Sequence, residues 1–165
     1  MIKSTEQKRK IEKTAFFISI LCMLLLSLTF LIMPVASNIL LNKGSNKLLI
    51  ATGVMFWLFL ALAYFLLGFV DINRRKFLKQ HKKAEKKRLP GILRLFSNPA
   101  AKCADIVSVV SLVLLVILSF ITDNFANYIL LAVFAFSFQM HCVLNGENCL
   151  YINSLKAEEN KNAQN

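Results

Sequence analysis

Four stretches of this chain carry no Asp, Glu, Lys or Arg: residues 14–42, 48–70, 106–122 and 124–146. A charge at the centre of a bilayer costs about 2.5–3.5 kcal/mol even on permissive scales, so lipid selects for runs of this kind. A helix rising 1.5 Å per residue needs about 20 apolar residues to cross the hydrocarbon, and the second and fourth runs meet that length unaided. The first has length to spare. The third is short by itself, but Asn98 and Pro99 form a helix start, Asn as cap and Pro at the first helical position, which brings Ala100, Ala101 and the stem of Lys102 into the span. Apolar residues make up 56% of the chain, above the roughly 45–50% of soluble domains. The excess has nowhere to go in a water-soluble core of 165 residues. These observations predict an all-α, integral membrane four-helix bundle, up-down and antiparallel. Its spans are expected at about 14–41, 48–70, 99–122 and 124–146, after a basic N-terminus 1–13, with a loop 71–98 and a tail 147–165.

The first run also resembles a signal peptide, since Lys-rich residues precede it and Val35, Ala36 and Ser37 are small. Its apolar stretch exceeds the roughly 7–15 residues of a signal core, which predicts a retained helix. Pro34 is expected to kink it near its outer end. Asn38, Asn42 and Gly44 then lead into a short turn.

Charge sets the expected orientation. Of 20 Lys and Arg, 18 fall in alternate segments: before the first span, between the second and third, and after the fourth. Two, Lys43 and Lys47, fall in the others. The positive-inside rule predicts both ends in the cytoplasm, with tight outer turns at 43–47 and at Asp123-Asn124. The net charge of +11 is accordingly a topology signal, and no nucleic-acid partner is expected.

The loop concentrates that charge. Arg74, Arg75, Lys76, Lys79, Lys82, Lys83, Lys86, Lys87 and Arg88 face a single acidic residue, and His81 lies among them. Such a cluster attracts anionic headgroups by about 1 kcal/mol per residue near a membrane surface, and an acidic protein partner is the other fitting occupant. Nucleic acid fits poorly, because Phe77 is the lone aromatic available for base stacking. Leu89-Pro90-Gly91 breaks the segment, and the apolar piece 92–96 is expected to lie in the interface.

Five polar residues fall at the same predicted depth: Asp71, Asp105, His141, Asn145 and Glu147. Carboxylates and an imidazole brought together there could bind a cation or pass a proton. The plainer expectation is a structural polar cluster fixing the helix ends, with Asp71 at helical ion-pair spacing from Arg74 and Arg75, and Asp105 from Lys102. Gln139 in the fourth span wants an interhelical partner, and it lies on a stripe with Ala132, Ala135, Cys142 and Gly146. Ser108, Ser111 and Ser119 on the third span, and Gly53, Ala61 and Gly68 with Trp57 and Tyr64 on the second, form comparable seams.

Cys22, Cys103, Cys142 and Cys149 avoid the predicted outer turns and form no C-x-x-C, which argues against quinone-linked disulfide chemistry. His141, Cys142, Glu147 and Cys149 are nominal metal ligands, but Cys142 and Cys149 share a helical face that His141 does not, so no metal is expected. The glycines form no phosphate-cradling loop, and no hydrolase or metalloprotease signature occurs. No cofactor is expected.

Residues 89–98, the Lys102 to Asp105 junction and the run 140–148, MHCVLNGEN, resemble small uncharacterised four-span membrane proteins of Gram-positive bacteria. The resemblance covers roughly the second half of the chain. It implies a bacterial plasma membrane and four spans, and carries no activity. Three functions compete: an accessory subunit of a membrane complex, a small oligomeric transporter using Asp105, Gln139 and His141, and a lipid enzyme using Asp71, Asp105 and His141. The transporter reading is weakened by the absence of an acidic residue from the first span.

Overall fold

The computed structural model describes residues 2–80, 91–121 and 125–164. His81, Lys82, Lys83, Lys86, Lys87, Arg88, Leu89 and Pro90 of the basic loop lie outside the described residues, as do Thr122 and the expected turn at Asp123 and Asn124. The described chain is all-α: α1 (Ile2–Lys43), α2 (Lys47–Gln80), a 3-10 turn (Gly91–Leu93), α3 (Pro99–Ile121), α4 (Phe125–Leu144) and α5 (Glu147–Gln164). Helices α1 to α4 are long and apolar enough to cross a membrane.

Helix length follows from where the backbone finds a stop. Pro34 lies inside α1 without ending it. Gly44 does end it: its φ of 63° is the left-handed conformation that closes helices, and its N–H reaches Leu40 O at 2.9 Å. At the start of α3, Asn98 Oδ1 accepts the Ala101 N–H at 2.9 Å, satisfying a donor that the first turn would otherwise leave orphaned. At 42 and 34 residues, α1 and α2 extend about 63 and 51 Å. The hydrocarbon core is about 30 Å thick. Both helices therefore run past their apolar stretches at the basic end, through residues 2–13 and 71–80.

α1 packs between α2 and α4, and α3 packs on the other side of α4. The spatial order is thus α2, α1, α4, α3, with α2 and α3 as flanks. The α3 seam consists of Ala101, Ala104, Asp105, Ser108 and Ser111, all buried and spaced by three or four. Such small side chains let helix backbones approach closely in lipid. Ser119, expected on the same seam, is exposed and turns back to Val116 O.

Within the stretch expected as a tail, α5 folds across the basic end against α1, α2 and α4. Cys149, Tyr151, Ile152 and Leu155 are its buried face. They join Ala15, Phe16, Met23, Val70, Ala104, Met140 and Val143 in a continuous core. Tyr151 stacks at a tilt on Phe77, with centroids 5.6 Å apart, and its hydroxyl donates to Glu12 Oε2 at 2.7 Å. That bond accounts for a carboxylate buried in an apolar setting.

Candidate functional site

The polar residues of the basic end sort into two groups. In the first, Asp105 from α3 meets His141 and Asn145 from the end of α4. Asp105 is 3% exposed and Asn145 fully buried. Oδ1 of Asp105 lies 2.6 Å from His141 Nδ1 and accepts from Asn145 Nδ2 at 2.9 Å. Oδ2 accepts the backbone N–H of Phe96 at 2.7 Å. Asp105 thus answers to α4 and to the segment before α3, rather than to Lys102 one helical turn away.

That segment is held at further points. His141 Nε2 lies 3.1 Å from Ile92 O. Asn145 Oδ1 accepts the Ser97 N–H at 3.1 Å, and Asn98 Nδ2 donates to Leu144 O at 3.0 Å. Phe96 has a φ of 56°, a left-handed backbone that costs a non-glycine residue roughly 1–2 kcal/mol. The Asp105 carboxylate receiving its N–H offsets part of that strain. Ile92, Leu93, Leu95 and Phe96 all point outward and are exposed, while the backbone between them is fastened inward.

The second group is ionic. Arg74 is buried, and it donates through Nε and Nη2 to Asp71 Oδ1 at 3.2 and 2.9 Å. Arg75, largely exposed, reaches the other oxygen of Asp71 at 2.8 Å. Both pairs follow the three- and four-residue spacing of one helix face. Glu147, at the start of α5, accepts from Arg94 at 2.8 Å and lies 3.9 Å from Arg74 Nη1. Arg94 thereby ties the 92–98 segment to α5. Lys76 and Lys79 are exposed.

Gln139 belongs to neither group. Its Nε2 donates to Ala135 O at 2.9 Å and to Ser27 Oγ of α1 at 3.2 Å, the interhelical partner that a mid-span amide requires. A cleft of about 400 Å³ opens between α2 and α4, with Met23 of α1 in its lining. Tyr64, Leu67 and Phe138 line its apolar part, and Asp71, Arg74, Gln139, Glu147 and Asn148 its polar part. Asp71 and Gln139 thus share a cleft while Asp105, His141 and Asn145 form a separate buried cluster.

All four cysteines are free thiols, Cys103 exposed, Cys142 half-buried, and Cys22 and Cys149 buried. No group of three His, Cys, Asp or Glu side chains able to hold a metal ion occurs among the described residues. Sequence reasoning named Asp105, His141 and Asn145 but missed what they hold, because the partners at Ile92, Phe96 and Ser97 are backbone atoms. It also missed Glu12 with Tyr151. The spacing of Cys149, Ile152 and Leu155, three apart, was the available signal for a buried helix face.

No family model, curated protein or solved structure matches the chain.

Proposed function

We propose that this protein is a small accessory subunit of a bacterial plasma-membrane complex, with both ends in the cytoplasm, and that α2 is the helix it offers to its partner. One observation carries this reading. Gly53, Trp57, Ala61, Tyr64 and Gly68 share a face of α2 that is exposed along its length, with Trp57 and Tyr64 at 68% and 59%. A Cβ added at Gly53 or Gly68 would meet nothing within 4 Å. Lipid tails pack well against Leu and Phe, whereas a face on which Gly53, Ala61 and Gly68 alternate with Trp57 and Tyr64 suits another helix at short range.

The placement of Asp105, His141 and Asn145 favours a subunit over a transporter, since all three lie outside the lining of the cleft between α2 and α4. The basic residues Arg75, Lys76 and Lys79, with the charges that follow them in sequence, supply the second contact. Anionic headgroups are the first occupant of that surface, and an acidic segment of the partner is the alternative.

The test is extraction of a tagged full-length chain from its native membrane in mild detergent, with co-purifying proteins identified by mass spectrometry. Gly53→Leu combined with Gly68→Leu should leave folding unchanged, because both sites are open, and should abolish recovery of the partner. A wild-type protein that emerges alone, or solely with copies of itself, sinks the subunit reading.

A further inference from the structure

We propose that Asp105 and His141 together form a proton-binding site whose occupancy fastens the 92–98 segment to the basic end of the bundle, so that loss of the proton releases it. The proposal rests on a count of hydrogens that the geometry imposes, and is independent of the subunit reading.

His141 Nε2 faces the carbonyl oxygen of Ile92 at 3.1 Å. A carbonyl can only accept, so Nε2 carries a hydrogen. Nδ1 of the same ring lies 2.6 Å from Asp105 Oδ1, a separation that requires a hydrogen between the two atoms. The Asp105 oxygens otherwise receive N–H groups, from Phe96 on Oδ2 at 2.7 Å and from Asn145 Nδ2 on Oδ1 at 2.9 Å. The orientation of the Asn145 amide is fixed from both ends. Its oxygen takes the Ser97 N–H at 3.1 Å, and its nitrogen gives to His141 O at 3.0 Å. The pair therefore holds two hydrogens, one at Nε2 and one shared with Asp105. Imidazolium beside carboxylate, or imidazole beside carboxylic acid, has the same net charge of zero, and zero is what a buried site tolerates.

With one proton removed, two arrangements remain, and each breaks a contact to the segment. If Nε2 keeps its hydrogen, the Nδ1 lone pair faces a carboxylate; Asn145 Nδ2 lies 3.2 Å from Nδ1, but its two hydrogens go to Asp105 Oδ1 and His141 O, so Asp105 withdraws and lets go of the Phe96 N–H. If the hydrogen moves to Nδ1, the Nε2 lone pair faces Ile92 O and that contact is lost. Both leave a net negative charge in a buried place. The left-handed backbone at Phe96 gives the freed segment a direction to move, toward relaxed φ values.

The charged and titratable surroundings enter from each element packed on α4. Asp105 comes from α3 beside exposed Lys102, and Arg94 comes from the segment itself. Glu147 comes from α5, bonded to Arg94 at 2.8 Å. Asp71 and Arg74 come from α2, and Glu12, Lys13 and Cys22 from α1, Glu12 bonded to Tyr151. The sign follows from linkage: the proton-bound form is the fastened form, so fastening is favoured at low pH and lost as pH rises.

Hydrogen–deuterium exchange on the full chain in lipid nanodiscs reads this directly, because the Phe96 and Ser97 amides are the ones the cluster holds. After correction for base-catalysed intrinsic exchange, their protection should fall at least tenfold from the acid to the alkaline end of the range in which the bundle stays folded. Protection that stays constant across that range overturns the proposal. Asp105→Asn keeps a hydrogen at the shared position permanently, so its protection, high or low, should not change with pH. A wild-type pH profile in Asp105→Asn also overturns it. As a readout that leaves the cluster unmutated, 15N spectra of His141 in a His81→Gln background should show Nε2 protonated in the fastened form, with the ring signals changing as protection falls. A low-pH ring protonated at Nδ1 alone is the third refuting result.

Discussion

At the basic end of the bundle, helices α1, α2, α4 and α5 meet in a continuous core, and Asp105, Asn145, Arg94 and Glu147 bind elements distant in sequence. At the opposite end Leu41, Phe120 and Ile121 stand exposed, and no residue of α3 after Ser111 is buried. The same chain thus builds one end like a soluble protein and the other like a set of helices left to the lipid. The reason lies in the solvent. Where water or headgroups are present, burying Tyr151, Ile152 and Leu155 gains the ordinary hydrophobic free energy. Deep in hydrocarbon, helix association gains nothing from hiding apolar surface, so small-residue seams and hydrogen bonds must supply it.

Substitutions at the two ends should therefore differ sharply. Asp105→Ala strips an acceptor from His141, Asn145 and Phe96 together and should destabilise by about 3–5 kcal/mol, read from detergent-induced unfolding. Tyr151→Phe removes a bond to a buried carboxylate and should cost about 1.5–3 kcal/mol in the same assay. Arg75→Ala should cost less than about 1 kcal/mol, because its pair with Asp71 is largely open to solvent. Ser119→Ala, at the sparse end, should stay within about 0.5 kcal/mol of wild type. A Ser119 effect as large as that of Asp105 would break the contrast. A Tyr151 effect near zero would sharpen it, by moving the stability of the basic end from α5 onto the Asp105 cluster.

Much of this was legible in the residues, for stateable reasons. The four long helices follow from the places where charge is forbidden. Asp105, His141 and Asn145 stood out because polar groups at the ends of apolar helices need partners, and types and depths are visible without coordinates. The partners were not visible, because the N–H groups of Phe96 and Ser97 and the carbonyl of Ile92 are the same in every sequence. Nor did anything mark Phe96 as left-handed, since no glycine stands there and the conformation is imposed by the acceptor beneath it. The α2 seam was legible as spacing alone. Gly53, Ala61 and Gly68 have the spacing of a packing face, but spacing does not say whether the neighbour is in the same chain. α5 was overlooked because its polar residues dilute a buried face of a few positions.

The spacing of the Asp105 cluster along the chain has a consequence for biogenesis. His141 follows Asp105 by 36 residues, and a chain made from its N-terminus produces α3 before either His141 or Asn145 exists. During that interval Asp105 has the Phe96 amide within local reach and no imidazole. Its place roughly 9 Å along α3 from Pro99 lets the carboxyl wait at the hydrated boundary, where an unpaired charge is cheap, until α4 arrives to close over it. A carboxylate of the same purpose placed at mid-membrane would have to be inserted before anything could receive it.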